Sequence, residues 1–229
     1  MYTIVVALML QAAPTADEII GRYVARAEET AEFGARLKYM KVRTEYDVTD
    51  PARPRQVEKR ESVVWTEHGH VMETTVAINN GPVLTDGPDE SALSLDKSFG
   101  GRFKFDLIQP EPNVCSGCYL MSFKALPKQP PRRSIEEDVL SHTSGRLLVD
   151  VDNGVILWLR GAVEQFRKAW GIGKIYDGDV EMSQRMVFGA PMVVSARVRV
   201  HYREFFSERN RLFELSFFGF EVRPESPSP

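Results

Sequence analysis

Two cysteines are the residues with the clearest chemical potential in this 229-residue chain, because only two positions separate them. Cys115 and Cys118 form the sequence Cys-Ser-Gly-Cys, and such a pair can be a structural disulfide, two free thiols or a redox site. Redox motifs with this spacing open a helix, whose N-terminus lowers the thiol pKa. Here Tyr119 to Phe123 follow and alternate as in a strand. The pattern favours a bridge or two free thiols over a redox centre.

The other reactive side chains indicate neither a catalytic centre nor a cofactor. His68 and His70 flank a glycine at a tight corner, where histidines are more typical of polar turn residues than of metal ligands. Asp150 and Asp152 resemble the start of a calcium loop, but Gly161 stands where the closing glutamate is required. The sequence contains no Gly-x-Ser-x-Gly elbow, phosphate loop or dinucleotide fingerprint. We therefore expect a non-catalytic protein without metal or cofactor.

Composition and charge argue against a nucleic-acid partner. Apolar residues make up 43% of the chain and charged residues 27%, and the net charge of −3 gives no general attraction to nucleic acid. Arginines do recur between Arg197 and Arg203, but they alternate with Val198, Val200 and Tyr202. That alternation indicates a strand with one wet face rather than a nucleic-acid platform.

The N-terminal segment has the features of a secretory signal. Residues Tyr2 to Ala13 are uncharged, mostly apolar and too few to span a bilayer, and small residues follow them. We predict a signal peptide over residues 1–15 and a periplasmic or secreted mature protein. A short buried N-terminal strand is the alternative interpretation. One domain over residues 16–223 and a disordered Pro/Ser-rich tail over residues 224–229 complete the predicted organisation.

The remaining elements are one amphipathic helix followed by about ten strands. Ala16 to Glu32 has its apolar residues on one helical face, and Ala35 to Val48 alternates with Met40 and Val42 on one side. Asn153-Gly154 is the strongest hairpin signal, and a two-residue turn there pairs Val149 with Trp158. The pattern predicts a mainly β (α+β) fold, in which a curved antiparallel sheet forms an open half-barrel with helices packed on its concave face.

This layout resembles the outer-membrane lipoprotein carrier (LolA/LolB-like) superfamily. The resemblance is carried by the leading helix after a signal-like segment, by Cys118 to Phe123, and by the strand and hairpin from Gly145 to Ile156. It implies a bacterial envelope protein whose half-barrel holds a lipid or a lipoprotein acyl chain beneath its helices. Other envelope proteins are further potential partners.

Seven apolar residues are predicted to line this cavity, because they alternate on strands that are expected to share one sheet. They are Trp65, Met72, Phe103, Phe105, Met121, Phe123 and Trp158. Two other functions stay open. The same fold with a packed interior would suit an envelope scaffold or interaction module, and exposed, reactive Cys115 and Cys118 would suit a thiol-redox protein.

Overall fold

The computed structural model describes residues 14–67, 70–88, 101–127, 139, 141–164, 166–167, 174–204 and 207–223. Helices α1 (Ala16–Glu29) and α2 (Ala31–Ala35) precede twelve strands. The strands are β1 (Leu37–Asp47), β2 (Arg55–Glu67), β3 (His70–Ile78), β4 (Gly81–Pro88), β5 (Phe103–Pro110), β6 (Cys118–Ala125), β7 (Thr143–Asp150), β8 (Val155–Val163), β9 (Phe166–Arg167), β10 (Lys174–Val187), β11 (Ala190–Glu204) and β12 (Ser207–Val222). Most of the predicted signal peptide, His68 and the predicted tail lie outside the described residues.

Helix α1 has well-defined ends. At its start, the Thr15 hydroxyl accepts a hydrogen bond from the Glu18 backbone N–H at 3.3 Å, and the Glu18 carboxylate accepts one from the Thr15 N–H at 2.7 Å. The helix ends at Glu29, earlier than predicted, because the Thr30 hydroxyl bonds back to the Arg26 carbonyl and closes the last turn. Neither helix in the described part of the chain is long and apolar enough to cross a membrane.

All the strand pairs in the described ranges are antiparallel, and they form one open sheet. The order across it is β4-β3-β2-β1-β12-β11-β10-β8-β7-β6-β5, with β9 beside β10. The first and last strands of the described residues, β1 and β12, are neighbours in the middle of the sheet, and β4 and β5 form its edges. The predicted fold class, a mainly β protein built on an open antiparallel sheet, is confirmed.

The connection between the two edges favours a curved sheet. Eleven strands spaced about 4.8 Å apart would hold the edges of a flat sheet about 48 Å apart. Residues 89–102 join β4 to β5, and 14 residues reach about 50 Å only when fully extended. Gly101 and Arg102 form a turn, which shortens that reach. The edges must therefore approach each other, as they do in a half-barrel.

The hydrophobic core lies on one face of the sheet, where helix α1 packs against it. Strands β5 to β8 and β10 to β12 contribute apolar residues to this core face, and Ile19 and Tyr23 of α1 are buried among them. The most deeply buried strand residues of the cluster are Met121, Leu147, Val149, Ile156 and Leu159. Helix α1 thus packs on the core face of the sheet beside edge strand β5.

The β7–β8 hairpin has a longer loop than the predicted two-residue turn. Asp150 pairs with Val155, so residues 151–154 form the loop. The Asp150 carboxylate accepts hydrogen bonds from the backbone N–H of Asp152 at 3.1 Å and of Asn153 at 3.2 Å, which stabilises this wider loop. The predicted pairing of Val149 with Trp158 is therefore wrong. Val149 faces Ile156, and a bulge lies between this pair and the next.

Two glycines allow strands β7 and β8 to approach each other closely beside an aromatic ring. Gly145 is opposite both Gly161 and Phe123. A Cβ atom on Gly161 would lie 3.1 Å from Cζ of Phe123 and would collide with the Thr143 methyl group. A Cβ atom on Gly145 would collide with the carbonyl oxygen of Arg160. Side chains at these two positions are therefore incompatible with the observed packing.

We expect Gly145→Ala to lower the free energy of unfolding by about 3 kcal/mol, because its obstacle is backbone that cannot rotate away. Urea denaturation measures this change. Gly21→Ala on α1 is the control: no atom lies within 4 Å of the added methyl group, and we expect stabilisation by about 0.5–1 kcal/mol. Equal stabilities for Gly145→Ala and the parent protein would contradict the β7–β8 register.

Candidate functional site

Four of the seven predicted cavity residues lie together on the core face. Phe103 and Phe105 belong to edge strand β5, and Met121 and Phe123 belong to its neighbour β6. All four are buried. The rings of Phe103 and Phe123 meet edge to face with centroids 5.3 Å apart, and Phe105 is directly opposite Phe123. We call these four residues the apolar wall.

Trp158 lies on the opposite face of the sheet. Its neighbour Leu159 is 1% exposed and belongs to the core, so strand alternation directs Trp158 away from the apolar wall. Trp158 is directly opposite Leu148, and the Arg160 guanidinium lies 5.7 Å from the centre of its ring. The structure therefore separates Trp158 from the four residues of the wall.

Trp65 and Met72 also lie on that opposite face. They are paired across β2 and β3. The neighbouring residue Val64 is fully buried and faces Tyr39, whose ring contacts Phe217 on the core face. Alternation then places Trp65 on the other side. Strands β10, β11, β12 and β1 separate this pair from Trp158, so these three residues do not form one surface.

Helix α1 covers the core face around the apolar wall through two residues that were not predicted as site residues. Ile19 and Tyr23 are 0% and 2% exposed and lie four positions apart on one helical face. That spacing is visible in the sequence, but it does not reveal which surface the helix covers.

The first turn of α1 stays capped at neutral pH. Hydrogen bonds from Thr15 hold the pKa of the Glu18 carboxyl below its ordinary value, and the bond from the Thr15 backbone N–H has a larger effect than the bond from its hydroxyl.

The core face becomes charged where it reaches β1. Lys41 is opposite Phe217, and Arg43 is opposite the buried Leu215, so both basic residues share the core face. The Lys41 ammonium lies 2.9 Å from the Glu73 carboxylate on β3, and their side chains are 3% and 14% exposed. Strand alternation therefore directs Met40 and Val42, on the apolar side of β1, away from the core. The charged side can face the core because Lys41 forms an ion pair with Glu73.

Further ion pairs extend this charged part of the core face. Arg43 lies 3.5 Å from Glu45 and 3.6 Å from Glu58. Arg211 on β12 lies 3.6 Å from Glu45 and 3.4 Å from Asp47. We call this group together with Lys41 and Glu73 the charged network. One continuous face thus has an apolar region under α1 and a polar region on β1, β2 and β12.

Cys115 and Cys118 are joined by a disulfide with their Cα atoms 5.1 Å apart. The Cys118 backbone N–H donates to the Cys115 carbonyl at 3.2 Å, so the pair closes a tight turn. Strand β6 begins at Cys118, and the sulfurs therefore do not lie at a helix N-terminus of the kind that activates a thiol.

The disulfide turn, the β7–β8 loop and helix α1 meet at one junction. The Val151 N–H donates to the Gly117 carbonyl at 3.1 Å, and a Cβ atom on Gly117 would collide with the Asp152 carboxylate. On its other side, Asp152 forms a 3.0 Å ion pair with Arg22 of α1. Both side chains of that pair are about half exposed, so the pair contributes less than about 1 kcal/mol and mainly orients the helix.

The basic strand β11 has its charges on the face opposite the core, as the alternation predicts. Arg199 bonds Asp179 at 2.6 Å and Asp177 at 3.1 Å, whereas Val200 is buried. Burial acts to raise the pKa of Asp177, but hydrogen bonds from His201 and Arg199 outweigh it and hold that pKa below its ordinary value. These arginine charges are compensated within the sheet.

Comparison with known proteins assigns no family. No family model matches the chain, and no curated protein matches it. Among solved structures, the chain is similar to MucB in complex with MucA(peri), with 7% sequence identity over 92% of this chain and 100% of that chain, and a TM-score of 0.27. A likeness at this TM-score carries no argument about function, and the resemblance to the carrier superfamily stays a prediction.

We expect Lys41→Ala to lower the free energy of unfolding by about 3–5 kcal/mol, because it leaves the Glu73 carboxylate buried without its partner. Replacing both residues, Lys41→Met with Glu73→Leu, should recover most of that loss. Lys104→Ala is the control, because its ion pair with Asp106 is exposed and contributes less than about 1 kcal/mol. Chemical denaturation measures all four proteins. A Lys41→Ala variant as stable as Lys104→Ala would show that the pair is not buried.

Proposed function

We propose that the protein is a non-catalytic, exported protein of the bacterial envelope that binds a lipid or a lipoprotein acyl chain between helix α1 and the apolar wall. The proposal rests on the packing of helix α1 against the core face that includes the apolar wall. In the described residues, Ile19 and Tyr23 are the buried residues of α1, and they belong to the same hydrophobic cluster as the four residues of the wall. Displacement of α1 would remove these two side chains from the wall and leave their place to a ligand.

The burial of an acyl chain is comparable in free energy to the burial of the two buried side chains of α1. Burying Ile19 and Tyr23 contributes roughly 2–3 kcal/mol each, and each buried methylene of a ligand contributes about 0.8 kcal/mol. About six methylenes therefore equal the two helix side chains. A long acyl chain exceeds that amount, whereas a short one does not. The proposal accordingly concerns ligands with long chains.

The charged network supports an amphiphilic ligand rather than a pure hydrocarbon. It lies on the same face as the apolar wall, several strands away. A ligand with its chain under α1 would direct its polar head toward ionic side chains rather than toward apolar ones. A lipid or an acylated protein combines an apolar chain with a polar part in this way.

The disulfide supports the proposed compartment. Disulfides persist in oxidising environments such as the periplasm and are rare in the reducing cytosol. Cys115 and Cys118 are bonded to each other in a tight turn. This arrangement agrees with an exported protein and with the apolar N-terminal segment of the sequence.

A second candidate function is an envelope scaffold with a permanently packed interior. The burial of the apolar wall favours it, because Phe103, Phe105, Met121 and Phe123 are each 7% exposed or less. In such a protein α1 is a fixed part of the core. The two candidate functions predict different ligand affinities when the packing of α1 on the apolar wall is weakened.

Tyr23→Ala separates these candidates. It should lower the free energy of unfolding by about 3 kcal/mol in either case. If α1 is a displaceable cover, the same variant should bind a fluorescent long-chain fatty acid at least about threefold more tightly, because the ligand competes with a weaker helix. Val64→Ala is the control, since Val64 is fully buried on β2 and is not part of the cluster under α1. It should lower stability without raising affinity.

Native mass spectrometry on protein from its own envelope fraction, with lipid extraction, identifies the ligand. A co-purifying lipid or acyl chain in defined stoichiometry is expected. If neither the parent protein nor the Tyr23→Ala variant binds long-chain or short-chain probes, the result would contradict lipid binding and favour the packed scaffold.

A further inference from the structure

Three side chains with metal-ligating atoms converge at the disulfide turn, away from the apolar wall. The sulfur atoms of Cys115 and Cys118 and a carboxylate oxygen of Asp150 all lie within 4.8 Å of one another. Cys118 and Asp150 are direct cross-strand partners on β6 and β7, and they are 1% and 7% exposed. Cys115 is half-buried and leaves the cluster open toward solvent.

Asp150 is held in place as an acceptor within this cluster. Its carboxylate accepts hydrogen bonds from the Asp152 and Asn153 backbone N–H groups, and from the Asn153 side-chain amide at 2.7 Å. No lysine or arginine among the described residues forms an ion pair with it. The hydrogen bonds fix the orientation of this carboxylate beside the two sulfurs, as outer-shell partners do at metal sites.

We propose that Cys115, Cys118 and Asp150 bind one Zn²⁺, or another thiophilic divalent cation, once the disulfide has been reduced. A Cys-x-x-Cys pair is a common half of a zinc site. Tetrahedral coordination at ordinary zinc–sulfur and zinc–oxygen bond lengths places ligand atoms about 3.5–3.8 Å apart, which the 4.8 Å cluster accommodates with small side-chain rotations. The fourth position is open to water beside Cys115.

The redox step balances with an external dithiol. The dithiol donates two electrons and two protons to the Cys115–Cys118 disulfide, and becomes a disulfide itself. The cation then displaces the two thiol protons into solvent as the thiolates coordinate it. The bound cation also compensates the mutual repulsion of two thiolates and one carboxylate in a partly buried place. Disulfide and metal are thus two exclusive states of one site, and the site is independent of lipid binding.

Cobalt titration of the full chain tests the site. The protein is reduced with a dithiol, desalted without oxygen and titrated with Co²⁺, whose bonds to thiolate give an absorption band in the near ultraviolet; Zn²⁺ is then added as a competitor. We expect one Co²⁺ per chain, displaced by Zn²⁺. The oxidised parent protein, a control that needs no substitution, and Cys115→Ser should not give the band.

The contribution of Asp150 is tested against a carboxylate two residues away. Asp150→Asn should weaken Zn²⁺ binding at least about tenfold, whereas Asp152→Asn, which removes the same charge from the same loop, should change it less than about twofold. Circular dichroism shows whether each variant is folded. The proposal would be overturned if the reduced parent protein gave no cobalt band. It would also be overturned if the Cys115→Ser variant gave the same band as the reduced parent protein. Equal losses of Zn²⁺ affinity in the two aspartate variants would show that Asp150 is not a ligand of the cation.

Discussion

The apolar face of strands β5 to β8 must be kept from water, and most of the structure depends on how helix α1 does this. Two residues of the helix, Ile19 and Tyr23, are buried on the core face, and the exposed pair of Arg22 with Asp152 orients it. The open sheet cannot close on itself to bury that face. Outside the strands, the described residues buried in this cluster include Ile19 and Tyr23 of α1 and also Val139.

The core face is divided along its width, and the division has a physical cause. Under α1 the side chains are aromatic or aliphatic, because only dispersion and burial stabilise them there. On β1 the same face carries Lys41 and Arg43, which are tolerated because carboxylates from β1, β2 and β3 neutralise them at 2.9–3.6 Å. A charge without such a partner would destabilise this face by several kcal/mol. The result is one face with an apolar part and a charged part.

The disulfide turn contacts the same helix through the β7–β8 loop. Gly117 packs against Asp152, and Asp152 pairs with Arg22 of α1, so the turn, the loop and the helix are in direct contact. Asp150 has two roles at this junction: it shapes the loop by accepting backbone hydrogen bonds, and it lies beside both sulfurs. The position of one buried carboxylate thus connects the local geometry of the hairpin with the chemistry of the cysteines.

The sequence by itself determined most of the strands, the leading helix and the open antiparallel class of fold, because period-2 and period-3.6 patterns are local properties. It predicted about ten strands, whereas the described residues form twelve, and β4 (Gly81–Pro88) lies where turn residues suggested a loop. It also grouped Phe103, Phe105, Met121 and Phe123, which alternate on adjacent strands. Only the tertiary structure decided which face is the interior. The longer loop shifts the β7–β8 pairing by two residues and keeps the faces, but the bulge between the Val149–Ile156 and Leu148–Trp158 pairs shifts it by one residue. Trp158 therefore lies on the face that does not carry the apolar wall, because a one-residue change of register reverses every side chain of a strand. Pairing of β1 with β12, across the whole chain, brought Lys41 to the core face, and alternation alone contains no information about such distant neighbours.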